Sequence, residues 1–278
     1  MLILDFDGTL TDAEAEGLPF RVGYLQDLAT IVGQPLEEVT ALCDRFTEAM
    51  MAERDQHGWM FDGYLVAPAA VDPYLRVMPV ARMLLDHFGA IPDESTRSRL
   101  LDGILYKYNY PKSDISFREG AYSFLSAREG TDTWIVTNSA TDPVREKVRE
   151  LARQAEAPGS LDWLVERVHG FGKKYVIDSS FDRLPESMEL PGLARPVLLR
   201  RKRYFDLLES LRAEAGCAWS DVAVVGDIFE LDLCVPLHMG GRVGLLVNDF
   251  TPPYEQAYLD AHERGEVLHS LAAAGEWV

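Results

Sequence analysis

The stretch ILDFDGTLTD at residues 3–12 sets Asp5, Asp7 and Asp12 within eight positions of one another, at the mouth of the first apolar segment. Residues 2–6 read as a short buried strand, and Gly8 ends it where a loop begins. A strand that runs straight into carboxylates predicts a loop built for chemistry at the strand's carboxyl end. The chain already carries a formal charge of −18, so gathering acids there has an electrostatic cost that needs a reason.

The same pattern of apolar run and polar stop returns further along. In WIVTNSATDPVREKVREL, residues 134–151, Trp134 to Thr137 reads as a buried strand. Asp142 is expected to cap the following helix, whose apolar face is Val144, Val148 and Leu151. VAVVGD at 222–227 again ends in an acid, and RVGLLVN at 242–248 is the next strand. Strands alternating with helices predict an α/β fold, a doubly wound parallel sheet of Rossmann type with ligands at the carboxyl ends of its strands.

Between the first strand and the second the period changes. Val22, Leu25, Ala29 and Val32, then Leu36, Val39, Cys43, Phe46 and Met50, follow helical spacing, as do Val80, Met83, Leu84 and Phe88 and, later, Leu101, Ile104, Leu105 and Tyr108. Residues 56–79, rich in aromatics, Gly and Pro, read as an ordered loop. The expected organisation is a core of residues 1–12 and 117–278 with a mainly helical cap domain, residues 13–116, inserted into it. Trp59, Phe61, Tyr64 and Tyr74 are candidates for packing the cap or for lining a substrate pocket.

At 278 residues, 47% hydrophobic and 26% charged, the chain can bury a sizeable core and carry an insertion. Its 45 acids against 27 bases argue against nucleic acid or an anionic membrane as partner, because long-range repulsion opposes both. Cys43, Cys217 and Cys234 are scattered and suggest neither a disulfide framework nor a zinc site, so a reducing cytoplasm is expected. No stretch approaches the roughly 20 apolar residues of a bilayer span, and the first residues lack the pattern of a signal peptide.

If Asp5, Thr137 and Asp227 each end a parallel strand, the fold brings them to one edge of the sheet although they lie far apart in sequence. Carboxylates converging there repel one another unless a hard cation neutralises them. Oxygen ligands without His or Cys suit magnesium.

DFDGT at 5–9, Thr137 in IVTNS, a basic residue opening the helix at 203–215 and GDIFELD at 226–232 resemble, in that order, the motifs of the haloacid dehalogenase-like superfamily. The resemblance covers the core and places the 13–116 segment where that superfamily often inserts a helical cap. It implies that Asp5 is a nucleophile forming an aspartyl phosphate and also binds the metal. It implies that Asp7 is the general acid and then base, with its carbonyl on magnesium. Thr137, with the Asn138 amide beside it, would hold the phosphoryl oxygens. Asp227 and Asp232 would complete the metal shell, Glu230 being an alternative to Asp232. For the superfamily's lysine, Lys202 is chosen from its place at the helix start, in LLRRKRY where the family's pattern has a proline after the lysine. Arg201, Lys173 and Lys174 stay open as alternatives.

Asp7, two residues after the proposed nucleophile, selects among the relatives. Dehalogenases of the superfamily lack that acid and transport ATPases have Thr there, whereas phosphatases and phosphomutases have Asp. The expected function is a magnesium-dependent phosphatase acting on a small phosphorylated substrate. The alternatives are a sugar phosphomutase with the same reacting groups and a non-catalytic phospholigand-binding protein.

Overall fold

A computed structural model describes residues 1–53, 57–109 and 115–278. Residues 54–56 and 110–114, which the sequence reading assigns to the cap, lie outside the described residues. The chain divides into two compact units, one of Met1–Asp12, Met60–Ala67 and Phe117–Val278, the other of Ala13–Trp59 and Pro68–Ser116.

The elements run β1 (Leu2–Leu4), α1 (Ala13–Val32), α2 (Leu36–Ala52), β2 (Gly58–Phe61), β3 (Tyr64–Pro68), α3 (Pro73–His87) and α4 (Glu94–Asn109). They continue with α5 (Ala121–Ser126), β4 (Thr133–Val136), α6 (Thr141–Gln154), α7 (Asp162–Val165), β5 (Val168–His169), β6 (Ser187–Met188), β7 (Val197–Leu198) and α8 (Lys202–Ala215). The last are β8 (Ala223–Gly226), a π-helical turn (Phe229–Leu233), α9 (Cys234–His238), β9 (Arg242–Leu246), α10 (Pro253–Asp260), β10 (Gly265–Leu268) and α11 (Leu271–Trp277).

The first unit is built on a six-stranded parallel sheet in the order β10-β9-β8-β1-β4-β5. Its middle strand is sandwiched, with Leu4 in register with Ile135 on one side and Val225 on the other. Strand alternation divides the core between two faces. Ile3, Val136 and Val224 pack with Tyr204, Phe205 and Leu208 of α8, whereas Leu2, Leu4, Ile135 and Val225 pack with Val144 and Val148 of α6 and Leu271 of α11. Helices on both faces make the sheet doubly wound. From β1 the chain winds outward through β4 and β5, then crosses to β8, β9 and β10, so the strand ends of β4, β1 and β8 flank the reversal of direction where ligands bind in such sheets.

The second unit buries Phe20, Tyr24 and Leu28 of α1, Val39 and Leu42 of α2, Val80 and Leu84 of α3 and Leu101 of α4 in one apolar cluster. Residues 57–79 are more regular than their composition suggests. Asp62 and Gly63, with φ of 49° and 79°, form the tight turn that joins β2 to β3, a conformation that Asp-Gly between apolar runs favours. Helix α3 then starts at Pro73, capped by Asp72, whose side chain accepts from the Tyr74 and Leu75 amides at 2.7 and 3.2 Å. A Pro in the first turn begins a helix as readily as it breaks one. Tyr74 packs its ring 4.8 Å from that of Phe20, and Phe61 sets an edge against Tyr175 at 4.7 Å. Helix α6 begins at Thr141 after Ala140, so Asp142 lies in its first turn and does not cap it. Among the described residues no helix is long and apolar enough to cross a membrane.

Candidate active site

Asp5 stands one residue beyond β1, its main-chain N–H bonded to the Val225 carbonyl at 2.9 Å. The strand hands its direction to the side chain, which is buried. Thr137 follows β4 and Asp227 follows β8 in the same manner, so three strand ends bring together residues that the sequence holds more than 200 positions apart, as in the Thr9–Asp227 bond across 218 residues. Thr9 Oγ1 lies 3.1 Å from Asp5 Oδ2 and 3.3 Å from Asp227 Oδ1. Gly8 makes this approach feasible: its φ is +84°, and a Cβ there would fall 2.2 Å from Asp227 Oδ2.

Asp232 comes from the π-helical turn, where its Oδ2 accepts from the Ile228 amide at 3.1 Å. Carboxylate oxygens of Asp5, Asp227 and Asp232 lie within 4.8 Å of one another, and all three residues are buried. Glu230, the alternative to Asp232, points elsewhere. It is buried in a two-pronged ion pair with Arg195 at 2.9 and 2.5 Å.

Lys174 pairs directly with this cluster. Its Nζ donates to Asp5 Oδ1 at 2.6 Å and to Asp232 Oδ1 at 2.7 Å, and the side chain is 1% exposed. Lys202, the residue chosen at the helix start, does not reach it. Its half-exposed side chain pairs instead with Asp206, one turn along the same helix. The physical reason is direction: a side chain in the first turn of α8 meets its i+4 neighbour on the solvent face, whereas Lys174 sits in the irregular segment after β5 and enters from beside Asp5. Arg201 is buried but donates to main-chain carbonyls, and Lys173 takes a left-handed φ of 49°.

Asp7 is turned toward the β4–α6 loop. Its Oδ2 accepts from Ser139 Oγ at 2.6 Å and Thr137 Oγ1 at 3.2 Å, while Lys147 Nζ of α6 lies 3.5 Å from Oδ1. Thr137 Oγ1 in turn accepts from the Ser139 amide at 3.0 Å. Asn138 uses its side-chain oxygen to accept from the Lys174 amide at 2.8 Å. Ser139 and Lys147 were not singled out in the sequence. Ser139 is visible only as the end of VTNS, and Lys147 is one of several bases on an amphipathic helix.

Burial pushes the Asp5 carboxyl up to about 7; Lys174 pulls against this, and the Asp232 and Asp7 charges add to it. Burial also works against the Lys174 ammonium, but Asp232 and Asp5 outweigh it and hold the lysine above its ordinary value. Lys174 pairs with two of the three buried carboxylates and Arg118 acts on Asp227 from farther away, and three acids held this close together still favour a further cation. The donor set therefore fits a small hard cation: its convergent ligand atoms are oxygens, and neither His nor Cys is among them.

No family's sequence profile matches this chain, and no curated protein does. Solved structures do. The proposed HAD-hydrolase YfnB of Bacillus subtilis, in a magnesium-bound form, superposes with a TM-score of 0.51 at 15% identity, covering 99% of this chain and 96% of that one. A predicted phosphoglycolate phosphatase of Haemophilus somnus gives 0.50 at 14%, with 100% and 96% covered. A haloacid dehalogenase-like family hydrolase of Streptococcus pneumoniae gives 0.51 at 12%, with 99% and 96% covered. This chain has the haloacid dehalogenase-like fold. Within that fold the DFDGT segment occupies the end of the central strand, and GDIFELD supplies Asp227 and Asp232 from the neighbouring one.

Proposed function

We propose that the protein is a magnesium-dependent phosphatase that hydrolyses a small phosphate monoester through an aspartyl phosphate on Asp5. The observation that carries this reading is the buried Asp5 carboxylate, with Lys174 on one oxygen and Asp227 and Asp232 beside it, followed two residues later by a second acid. The Asp5 oxygen attacks phosphorus as the bond to the ester oxygen breaks, and Asp7 gives the leaving oxygen its proton. The Asp7 carboxylate then takes a proton from water, which attacks the same phosphorus, releases phosphate and restores Asp5. Thr137 Oγ1 and the Asn138 main-chain amide hold phosphoryl oxygens through both steps, and Lys174 offsets the charge of the nucleophile's approach.

The carboxylates of Asp5, Asp227 and Asp232, with the Asp7 carbonyl, would hold magnesium, which supplies charge neutralisation at the phosphoryl oxygens. The magnesium in the Bacillus structure and the description of the Haemophilus one as a phosphatase accord with this reading. Lys174 takes the part that the sequence reading gave to Lys202.

The test is phosphate release from a broad panel of monoesters, with magnesium and with chelator, for the native protein beside Asp5→Asn. Magnesium-dependent release that the variant lacks is expected. Equal release by Asp5→Asn would remove the covalent path, and no release from any monoester would leave the phosphomutase or the phospholigand-binding reading.

A further inference from the structure

Lys174 does not stand in a helix or strand. It follows Lys173, whose φ of 49° is rare for a residue with a Cβ, so no regular backbone repeat directs its side chain. Two side chains clamp its peptide units. Asn138 Oδ1 takes the Lys174 N–H at 2.8 Å, and Arg201 Nη1 donates to the Lys174 carbonyl at 2.6 Å.

Arg201 is fully buried. Its Nη2 donates to the Val66 carbonyl in β3 at 2.8 Å, and its Nε donates to the Leu198 carbonyl at the end of β7 at 2.9 Å. A buried guanidinium is costly unless its donors are met, and here the acceptors are main-chain carbonyls from three separate segments. The planar fork fixes their mutual placement as an ammonium on a flexible stem cannot. Val66 belongs to the segment Met60–Ala67, which lies within the helical insertion in sequence and groups with the first unit.

We infer that Arg201 is a positioning residue for Lys174: its guanidinium ties the Lys174 carbonyl to β3 and β7, so that the lysine side chain is delivered to Asp5 and Asp232. The inference rests on the reading of Asp5 and Lys174 as reacting groups. Two jobs that a single basic residue at a helix start could do are divided here. Arg201, immediately before α8, is the anchor, and Lys174, 27 residues upstream, carries the charge.

Arg201→Gln and Arg201→Lys test it, each compared with the native chain by acetylation with an N-hydroxysuccinimide ester, peptide mass spectrometry and phosphate-release kinetics. In the native protein Lys174 should resist acetylation under conditions that label the half-exposed Lys202. In both variants it should label several-fold faster, and kcat should fall on the order of 10²-fold with KM moving far less. Leu208→Ala, a core truncation on the buried face of α8, should lower the melting temperature while leaving Lys174 protected. Unchanged protection of Lys174 in both Arg201 variants overturns the inference, as does equal labelling in Leu208→Ala. Failure of both variants to fold also overturns it, by making Arg201 a determinant of the core and not of Lys174. If the native protein releases no phosphate while the labelling behaves as expected, the phosphatase reading falls and the positioning role stands.

Discussion

Ser139 Oγ donates to Asp7 Oδ2 at 2.6 Å and so helps set where the proposed acid and base points. A hydrogen bond to a charged group contributes roughly 1.5–3 kcal/mol, so Ser139→Ala should slow phosphate release by about 10- to 100-fold through kcat, with the melting temperature nearly unchanged. Steady-state kinetics on the best monoester check this. Glu255 is fully buried, and neither of its oxygens makes a hydrogen bond of ordinary geometry. Burial raises it well above the ordinary Glu value of 4.5, the Glu230 charge adds to this, and the Phe229 amide gives partial relief. The folded carboxyl therefore keeps its proton to a higher pH than the unfolded one. The stability tied to this group is full below 4.5 and is lost as pH rises from there through the folded value. Glu255→Gln should raise stability at neutral pH by roughly 1–3 kcal/mol and flatten the part of the fall in urea midpoints above pH 5 that this group causes. A native-like slope in the variant would contradict it.

Among the elements, the turn after β1 places the most chemistry on the fewest residues. Gly8 takes φ +84° against Asp227, and Arg118 Nε fastens the Gly8 carbonyl at 2.7 Å while its Nη1 reaches the Val247 carbonyl at 3.3 Å. In Gly8→Ala the Cβ meets Asp227 and the backbone is strained. The expected result is a loss of stability of about 1–3 kcal/mol, seen in urea melts, with a loss of activity larger than that destabilisation explains. The strands β1, β4 and β8 were legible because a buried parallel strand is a short unbroken apolar run with a polar stop. The β2–β3 hairpin and the start of α3 were hidden by the same Gly, Pro and aromatics that build them, since a dense run of turn residues reads as loop unless each Asp-Gly and Asp-Pro is read as a specific turn or cap. The direction of Lys202, toward Asp206, was not legible for a related reason: helical periodicity finds a helix start but says nothing about which azimuth of its first turn faces the sheet.

For the molecule as a whole, the excess of acids and the convergence of three of them predict that divalent cation and stability are linked. Magnesium at a hundred times its Kd should stabilise the native protein by about 2.7 kcal/mol, measured as a shift in thermal or urea midpoint without reference to turnover. Asp227→Asn should lose most of that shift, and a native midpoint indifferent to magnesium would count against the metal site. By itself the sequence determined the winding of the sheet and the identity of the acids at the strand ends. Those properties follow from local apolar period and from the order of strands along the chain. Which base meets Asp5, which of Glu230 and Asp232 turns inward, and where Asp7 is held were decided by the tertiary structure. Each depends on a side-chain direction set by contacts across long sequence separations, such as Lys174 to Asp5 across 169 residues, and no local pattern encodes such a contact.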